Sequence, residues 1–155
     1  MGKPVRAWQG KWRLKESELP NAEYAFLVIR AEKRIQGVTK LIIAGSLSNS
    51  PYSHGRPLVY VDFLESAPWN VKRYMDVLNR KQRFKDVGRE LMRAAVHESF
   101  ARGFDGLVGL HSLPEAEGFY EELGMTRLAP DLKKGTMVYY EISSQQARNF
   151  YGDTI

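Results

Sequence analysis

The first half of the chain is a succession of apolar runs separated by polar turn residues. Residues 24–32, YAFLVIRAE, and residues 38–45, VTKLIIAG, are rich in β-branched, aromatic and other apolar residues, as strands are. The polar residues 33–37, KRIQG, lie between them and predict a turn, so the two runs are expected to form an antiparallel hairpin. A loop rich in Ser, Asn, Pro and Gly follows at 46–57. Residues 58–65, LVYVDFLE, predict a third strand that is apolar enough to be central in the sheet.

Helical periodicity begins after residue 67. In residues 68–82, apolar side chains recur at i, i+3, i+4 and i+7 (Val71, Tyr74, Met75 and Leu78), which predicts a short helix that packs this face on the domain. The later predicted elements are a helix from Val87 to Arg102, a strand at 105–113, a helix at 114–123, a strand at 136–143 and a polar tail from Gln145 for which a helix is left open.

The order of these elements predicts a single domain of the α/β (α+β) class, with a mixed central sheet flanked by helices. The domain is expected at residues 24–145. An irregular segment at 1–23 precedes it and is expected to pack its tryptophan residues on the sheet, although residues 11–16, KWRLKE, are compatible with a short strand. A tail at 146–155 follows the domain.

The composition excludes several classes of protein and one kind of chemistry. With 155 residues, 43% hydrophobic and 26% charged, the chain has the composition of an ordinary globular domain. No apolar run has membrane-spanning length and no signal-peptide pattern occurs at the start, so we expect a cytoplasmic protein with no membrane partner. The chain contains no cysteine, which removes disulfides, thiolate nucleophiles and thiolate zinc sites. The net charge of +5 favours anionic partners, either nucleic acid or a phosphorylated cofactor.

One short motif indicates that another group approaches the backbone. Residues 83–91, RFKDVGREL, open the long predicted helix with Asp86 and, two residues later, Gly88. Glycine at a helix start is typical of a place where a ligand or another chain segment must come close to the main chain. A plain capped helix with an ordinary glycine is the alternative interpretation of this motif taken alone.

Two motifs together resemble those of the GNAT superfamily of N-acetyltransferases, over Leu58–Ile142. That family's phosphate-binding signature is Gln/Arg-x-x-Gly-x-Gly/Ala with a leucine after it. Residues 83–88 and Leu91 match this signature, except that Asp86 replaces its first glycine. A second family pattern has an alanine, a tyrosine four residues later and Gly-Phe after four more. The corresponding residues are Ala116, Tyr120, Gly124 and Met125.

The resemblance implies a sheet whose two central strands splay apart, with acetyl-CoA or another acyl-CoA as the acyl donor. The pyrophosphate would lie on the first turn of the helix, where backbone N–H groups lack partners and the helix dipole is positive. Gly88 would allow it to approach, and Asp86 would turn its carboxylate away. The pantetheine arm would bind the exposed edge of the third predicted strand, around residues 63–66. The residues implied in acyl-CoA binding are Phe63, Leu64, Ser66, Arg83, Phe84, Lys85, Asp86, Val87, Gly88 and Arg89.

The resemblance also implies direct attack of a primary amine on the thioester in a ternary complex, with no metal and no covalent enzyme intermediate. Tyr120 is implied as the general acid, because the family has a tyrosine here with its hydroxyl near the departing sulfur. Glu65 is the first choice for the general base, because it lies where the central strands are expected to part. Asp62 is the alternative, because strand alternation places the two on opposite faces and a bulge could change which of them faces the site. Asp62, His111 and Ser112 are expected to line the acceptor pocket.

Other classes of function remain open from the sequence. A hydrolase built on Ser112 and His111 would have no acid placed nearby, and three scattered histidines predict no metal site. A catalytically silent acyl-CoA-binding or regulatory domain is one alternative. A basic RNA-binding module, including an enzyme that acylates aminoacyl-tRNA, is another. The amine acceptor is left open among a small molecule, a peptide and an aminoacyl-tRNA, and so is the formation of a homodimer.

Overall fold

The computed structural model describes residues 6–12, 23–129, 135 and 137–151, with the backbone alone described at 6–12 and at residue 151. Within these residues, one sheet of seven strands and four α-helices are present. The strands are β1 Arg6–Trp12, β2 Tyr24–Ala31, β3 Arg34–Ile42, β4 Val59–Ser66, β5 Val108–Ser112, β6 Thr126–Arg127 and β7 Val138–Ile142. The helices are α1 Lys72–Val77, α2 Val87–Ala101, α3 Glu117–Glu122 and α4 Ser144–Tyr151, with short 3-10 helices at Pro68–Asn70 and Pro114–Ala116.

The sheet has the strand order β1-β2-β3-β4-β5-β7-β6. Every neighbouring pair is antiparallel except β4 and β5, which are parallel and are connected through α2. A parallel pair needs such a crossover, because a tight hairpin can join only antiparallel strands. The predicted mixed sheet of an α+β domain is therefore confirmed. The edge strand β1 lies in the segment that was expected to be irregular, and the rest of that segment's KWRLKE motif lies outside the described residues.

The turn between β2 and β3 is tighter than the sequence predicted. It consists of Glu32 and Lys33, both in the left-handed region with φ of 51° and 63°. The turn predicted at 33–37 was wrong in extent, because Gly37 lies inside β3 and does not mark the turn. A Cβ on Gly37 would be 2.7 Å from Cγ1 of Val87, so glycine at this position allows α2 to pack close to the sheet.

Three helices cover one face of the sheet. Side chains of β4, β5 and β7 pack there against α2, α3 and α4 in a single buried cluster. In α4, Ala147 and Phe150 are buried in this cluster, so the helix is part of the domain although the sequence placed residues 146–155 in a tail. The other face of the same strands carries Tyr60, His111 and Tyr139, and we call it the open face.

The packing predicted for the helix after β4 was wrong. Of its four apolar residues, only Met75 is buried, while Tyr74 and Leu78 are 47% and 57% exposed. Helix α1 is only six residues long, and Val71 and Leu78 flank it as N-cap and C-cap, so the predicted four-residue face extends beyond the helix at both ends.

Polar contacts hold the connection between β4 and α2 in place. The buried Gln36 of β3 accepts hydrogen bonds through Oε1 from Nε1 of Trp69 at 2.8 Å and from Nδ2 of Asn70 at 2.9 Å. Oδ1 of Asn70 in turn accepts a bond from the backbone N–H of Phe84 at 2.9 Å. The chain that enters α2 is therefore tied to the middle of the sheet, which fixes where the first turn of this helix lies.

Candidate active site

The two central strands of the sheet part after a short parallel contact. Strand β4 pairs with β5 only from Val59 to Val61, opposite Val108 to Leu110. Beyond this point β4 continues to Ser66 along β3, and β5 continues to Ser112 along β7. A V-shaped gap, which we call the split, therefore opens between residues 62–66 and the end of β5. Backbone groups of β4 on this side have no partner strand among the described residues.

A β-bulge occurs at the point where the split begins. Lys40 is opposite Phe63 and the next residue, Leu41, is opposite Val61, so Asp62 is the extra residue of β4. A bulge changes the direction of a strand and re-aims its side chains. The carboxylate of Asp62 is held on the open face by an ion pair with Nζ of Lys40, at 2.9 Å.

The residues after the bulge divide between the two faces of the sheet. Leu64 points to the helical side and packs against the buried clusters beneath α2. Phe63 and Glu65 alternate with it and are exposed on the open face, and Oγ1 of Thr39 donates a 2.6 Å hydrogen bond to the carbonyl of Phe63. No described residue forms an ion pair with Glu65. Both predicted bases therefore lie on the open face beside the split, as strand alternation after a bulge requires.

The first turn of α2 lies against the same part of β4. Asp86 is its N-cap and is in the left-handed conformation, with φ 62° and ψ 19°, and it forms no side-chain cap hydrogen bond. A glycine at this position in the family signature has a physical reason, because few other residues adopt this conformation and Asp is one of them. The N–H groups of residues 87–89, at the positive end of the helix, are therefore not occupied by a cap.

The predicted phosphate-binding cations have different surroundings. The guanidinium of Arg83 is bound to the carboxylate of Glu32, and that of Arg89 lies over the ring of Phe150, 5.2 Å from its centroid. Lys85 is exposed. The backbone N–H of Arg83 donates to the carbonyl of Trp69 at 3.0 Å, and that of Phe84 is bound to Asn70. An anion at this end of α2 would therefore be bound mainly by backbone N–H groups after residue 84.

The group that approaches Gly88 most closely in this structure is an aromatic ring. A Cβ at this position would be 3.1 Å from Cζ of Phe119 and 3.8 Å from Cδ2 of Leu64. Glycine at 88 thus brings α2, α3 and β4 together at the base of the split. The sequence indicated close approach to this glycine but not that part of the approach comes from within the protein.

Tyr120 lies on α3, directly after the ring that contacts Gly88. Its own ring is 5.0 Å from that of Phe119 in an edge-to-face arrangement and 6.1 Å from that of Tyr140. Only 8% of Tyr120 is exposed. Burial raises the pKa of Tyr120 to about 12, because the phenolate would lose its hydration.

The two neighbouring residues predicted for the acceptor pocket lie on opposite faces of β5. His111 is on the open face, where its Nδ1 is hydrogen bonded to the hydroxyl of Tyr60 at 2.7 Å and its ring is 4.9 Å from that of Tyr139. Ser112 is fully buried on the helical side and donates to the carbonyl of Leu113 at 2.8 Å. One pocket on the open face can therefore use His111 but not the hydroxyl of Ser112.

Sequence reasoning missed three residues of the open face, namely Tyr60, Tyr139 and Glu141. Tyr139 and Glu141 are buried, and the Tyr139 hydroxyl donates to Oε1 of Glu141 at 2.7 Å. Burial, together with this bond to a carboxylate, raises the pKa of Tyr139 well above its usual value. Strand alternation could have placed Tyr139 and Glu141 on one face, since they are two residues apart in β7. Nothing in the sequence indicated which loop would supply the other partners of the carboxylate.

Two further observations concern the described residues as a whole. They contain no group of three or more side chains placed to bind a metal ion. None of the described helices is both long and apolar enough to cross a bilayer.

Comparison with known proteins relates this architecture to solved acetyltransferase structures. The N-acetyltransferase YlbP of Bacillus subtilis, in complex with coenzyme A, is 18% identical over 77% of this chain and 68% of its own, with a TM-score of 0.51. An acetyltransferase of Bacillus subtilis, also in complex with CoA, is 14% identical over 90% of this chain and 99% of its own, with a TM-score of 0.57. A tyrosine-to-phenylalanine variant of the toxin AtaT, bound to the C-terminus of the antitoxin AtaR, is 14% identical over 90% of this chain and 77% of its own, with a TM-score of 0.51.

These likenesses are of fold. No protein-family model matches the chain, and no curated protein matches it either. At identities below one fifth, the structural comparisons confirm the predicted GNAT-like fold.

Proposed function

We propose that this chain, which has the fold of the GNAT N-acetyltransferases, is an acyl-CoA-dependent N-acyltransferase. In its simplest form it transfers the acetyl group of acetyl-CoA to a primary amine by direct attack in a ternary complex. One observation carries the proposal: the split between β4 and β5 opens beside the uncapped first turn of α2. A ligand with a pyrophosphate at one end and an extended amide-bearing arm fits both features together.

The helical side of the split suits the donor. Its pyrophosphate would accept hydrogen bonds from the N–H groups of residues 87–89, which satisfies donors that the helix itself leaves without partners. The arm would then run along β4, whose backbone groups at 62–66 face the split. Because Arg83 and Arg89 are already engaged with Glu32 and Phe150, we expect backbone groups to supply most of this binding.

The open face of the split suits the amine. Glu65 and Asp62 lie there, and we propose Glu65 as the base that accepts a proton from the attacking amine, directly or through one water. Asp62 is the weaker candidate because Lys40 already occupies its carboxylate. We propose Tyr120 as the group that donates a proton or a hydrogen bond to the departing thiolate.

The first experiment measures binding and transfer separately. Isothermal titration with CoA tests the donor site without any assumption about the acceptor. Release of free thiol from acetyl-CoA is then followed with a panel of amines: spermidine, an aminoglycoside, a lysine-containing peptide and an aminoacyl-tRNA. Binding with turnover of one amine supports the proposal. Binding without turnover across the panel would indicate an acyl-CoA-binding domain, and no binding would refute the donor site.

Substitution of Gly88 tests where the pyrophosphate binds. We expect Gly88→Glu to reduce CoA affinity by at least roughly tenfold, because it places bulk and negative charge on the first turn of α2. Gly88→Ala is the control for packing, since its Cβ would already meet the Phe119 ring at 3.1 Å without adding charge. Gly118→Glu is the control for charge, because nothing lies within 4 Å of a Cβ at that position of α3. Equal affinity of folded Gly88→Glu and wild-type protein would remove this assignment.

A further inference from the structure

A buried carboxylate connects β7 to the loop between β3 and β4. Glu141 is 3% exposed, and its two oxygens accept four hydrogen bonds. Oε1 accepts from the hydroxyl of Tyr139 at 2.7 Å and from the N–H of Asn49 at 2.7 Å. Oε2 accepts from Oγ of Ser48 at 2.8 Å and from the N–H of Ser50 at 3.1 Å. A buried carboxylate is costly unless such donors surround it. The four donors in turn would lose their acceptor if the carboxylate moved away.

The loop of residues 46–57 is folded around the same point. Oγ of Ser48 is also 2.7 Å from Oγ of Ser53, and both serines are buried. The backbone of Ser48 closes the loop, since its N–H donates to the carbonyl of Arg56 at 2.8 Å and its carbonyl accepts from Gly55 at 3.0 Å. The side chain of Glu141 therefore fixes the 46–57 loop at its buried centre.

A continuous line of contacts leads from this carboxylate to the split. The Tyr139 ring packs against His111, and His111 is bonded to the hydroxyl of Tyr60. Tyr60 directly precedes Val61, where the parallel pairing of β4 and β5 ends. A Cβ at position 109 would be 2.5 Å from the Tyr139 hydroxyl, so Gly109 makes the room that this hydroxyl needs to reach Glu141.

The acceptor has to reach the split from the face that carries this line. On the helical side, Leu64, Phe119 and the first turn of α2 line the base of the split, and the proposed donor occupies the rest of that side. The exposed carboxylates of Asp62 and Glu65 and the ring of Tyr60 are on the other side. An amine that approaches the thioester thus passes the open face.

We propose that Glu141 is a positioning residue of the acyltransfer site. Its carboxylate clamps the 46–57 loop and, through Tyr139 and His111, holds Tyr60 in place as a wall of the acceptor pocket. The assignment of Tyr60 to an acceptor pocket rests on the proposed function. The clamp of Glu141 on the 46–57 loop does not.

The clamp is tested by hydrogen exchange, which needs no ligand. Glu141→Gln keeps the shape of the side chain but presents one acceptor oxygen and an NH2 donor to four donors. We expect the amide hydrogens of Asn49 and Ser50 to exchange roughly tenfold to a hundredfold faster than in the wild type. Glu98→Gln is the matched control, because it removes a buried carboxylate that is paired with Arg102 on α2, at 2.9 Å. Unchanged exchange at Asn49 and Ser50 in Glu141→Gln would overturn the clamp.

The acceptor wall is tested by steady-state kinetics with acetyl-CoA and the panel amine that gives the highest turnover. In Glu141→Gln we expect the KM for the amine to rise about tenfold while the Kd for CoA stays within about twofold of the wild-type value. Tyr139→Phe, which leaves the loop donors on the carboxylate, should raise the amine KM with little change in loop exchange. It serves as the test of the acceptor wall if Glu141→Gln does not fold, and Ser48→Ala, which removes one loop donor to Oε2, then tests the clamp by faster exchange at Asn49 and Ser50.

The outcomes separate the two proposals. A clamp variant with fast loop exchange and an unchanged amine KM would show that the clamp does not hold Tyr60 as a wall of the acceptor pocket. A wild-type protein that binds no CoA would refute the proposed function and the acceptor pocket with it, and the exchange rates would still decide the clamp.

Discussion

The role of Tyr120 can be tested by removing one oxygen atom. Tyr120→Phe keeps the ring that packs against Phe119 and Tyr140, at centroid distances of 5.0 Å and 6.1 Å. The hydroxyl is the only group lost, so the variant should fold and should bind CoA with nearly wild-type affinity. Any loss in kcat then reports on what the hydroxyl does for the departing thiolate.

The raised pKa of this tyrosine decides what size of effect to expect. A free tyrosine, at about 10, would be almost matched to a thiol at about 8.5, but burial raises the pKa of Tyr120 to about 12. Complete proton transfer from Tyr120 to a thiolate would then be uphill by about 5 kcal/mol. A hydrogen bond to the developing negative charge costs no such transfer and contributes about 1.5–3 kcal/mol. We therefore expect kcat to fall roughly tenfold to a hundredfold in Tyr120→Phe.

The pH dependence gives an independent check, with a definite sign. Burial favours the neutral phenol, so Tyr120 stays protonated as the pH rises through 10 and is lost as a donor only near pH 12. The kcat of the wild type should therefore not decline near pH 10 through loss of this proton. The pH profiles of the wild type and of Tyr120→Phe should have the same shape in this range. The assay is thiol release from acetyl-CoA at saturating amine, from pH 7 to 10.5. A folded variant that turns over at the wild-type rate would refute the role, and an alkaline limb near pH 10 unique to the wild type would refute the raised pKa.

Two further predictions concern the first turn of α2 and the open face. Glu65→Gln should lower kcat/KM by roughly a hundredfold, which is the scale of losing a positioned base. Asp62→Asn is its control. Wild-type activity of Glu65→Gln from pH 6 to 9 would rule out Glu65 as the base. Asp86→Val should lower the free energy of unfolding by about 1–2 kcal/mol in urea titration, because a β-branched residue is strained at φ 62°, whereas Asp86→Gly should change it by less than about 1 kcal/mol. Equal stability of the Val and Gly variants would show that the left-handed conformation at residue 86 is not required.

The sequence predicted most of the architecture because its signals are local. Alternating and continuous apolar runs identified β2, β3, β4, β5 and β7, and a helical period with a terminal glycine identified α2. The two-residue strand β6 was missed because it is too short to show any period. The split itself followed only from the family resemblance, since where two strands stop pairing depends on contacts between distant segments.

Two glycines show how a correct signal can have a partner that the sequence does not reveal. Gly37 was interpreted as a turn residue, yet it lies inside β3 under Val87 of α2. Gly88 was interpreted as a place for a phosphate, and in the structure the Phe119 ring also approaches it. In both cases the sequence indicates that something comes close to the backbone, but the partner is more than 30 residues away and leaves no mark nearby.

The open face was the least predictable part of the site, for an electrostatic reason. Glu141 looks like an ordinary polar residue of a strand edge, and a buried carboxylate is improbable from composition alone. Its burial is possible only because two backbone N–H groups and two hydroxyls converge on it, and three of these four donors come from residues 48–50. The same geometry makes the loop depend on a single charge. A loop that is fixed at one buried point can vary elsewhere in length and sequence while its base keeps its place against β7.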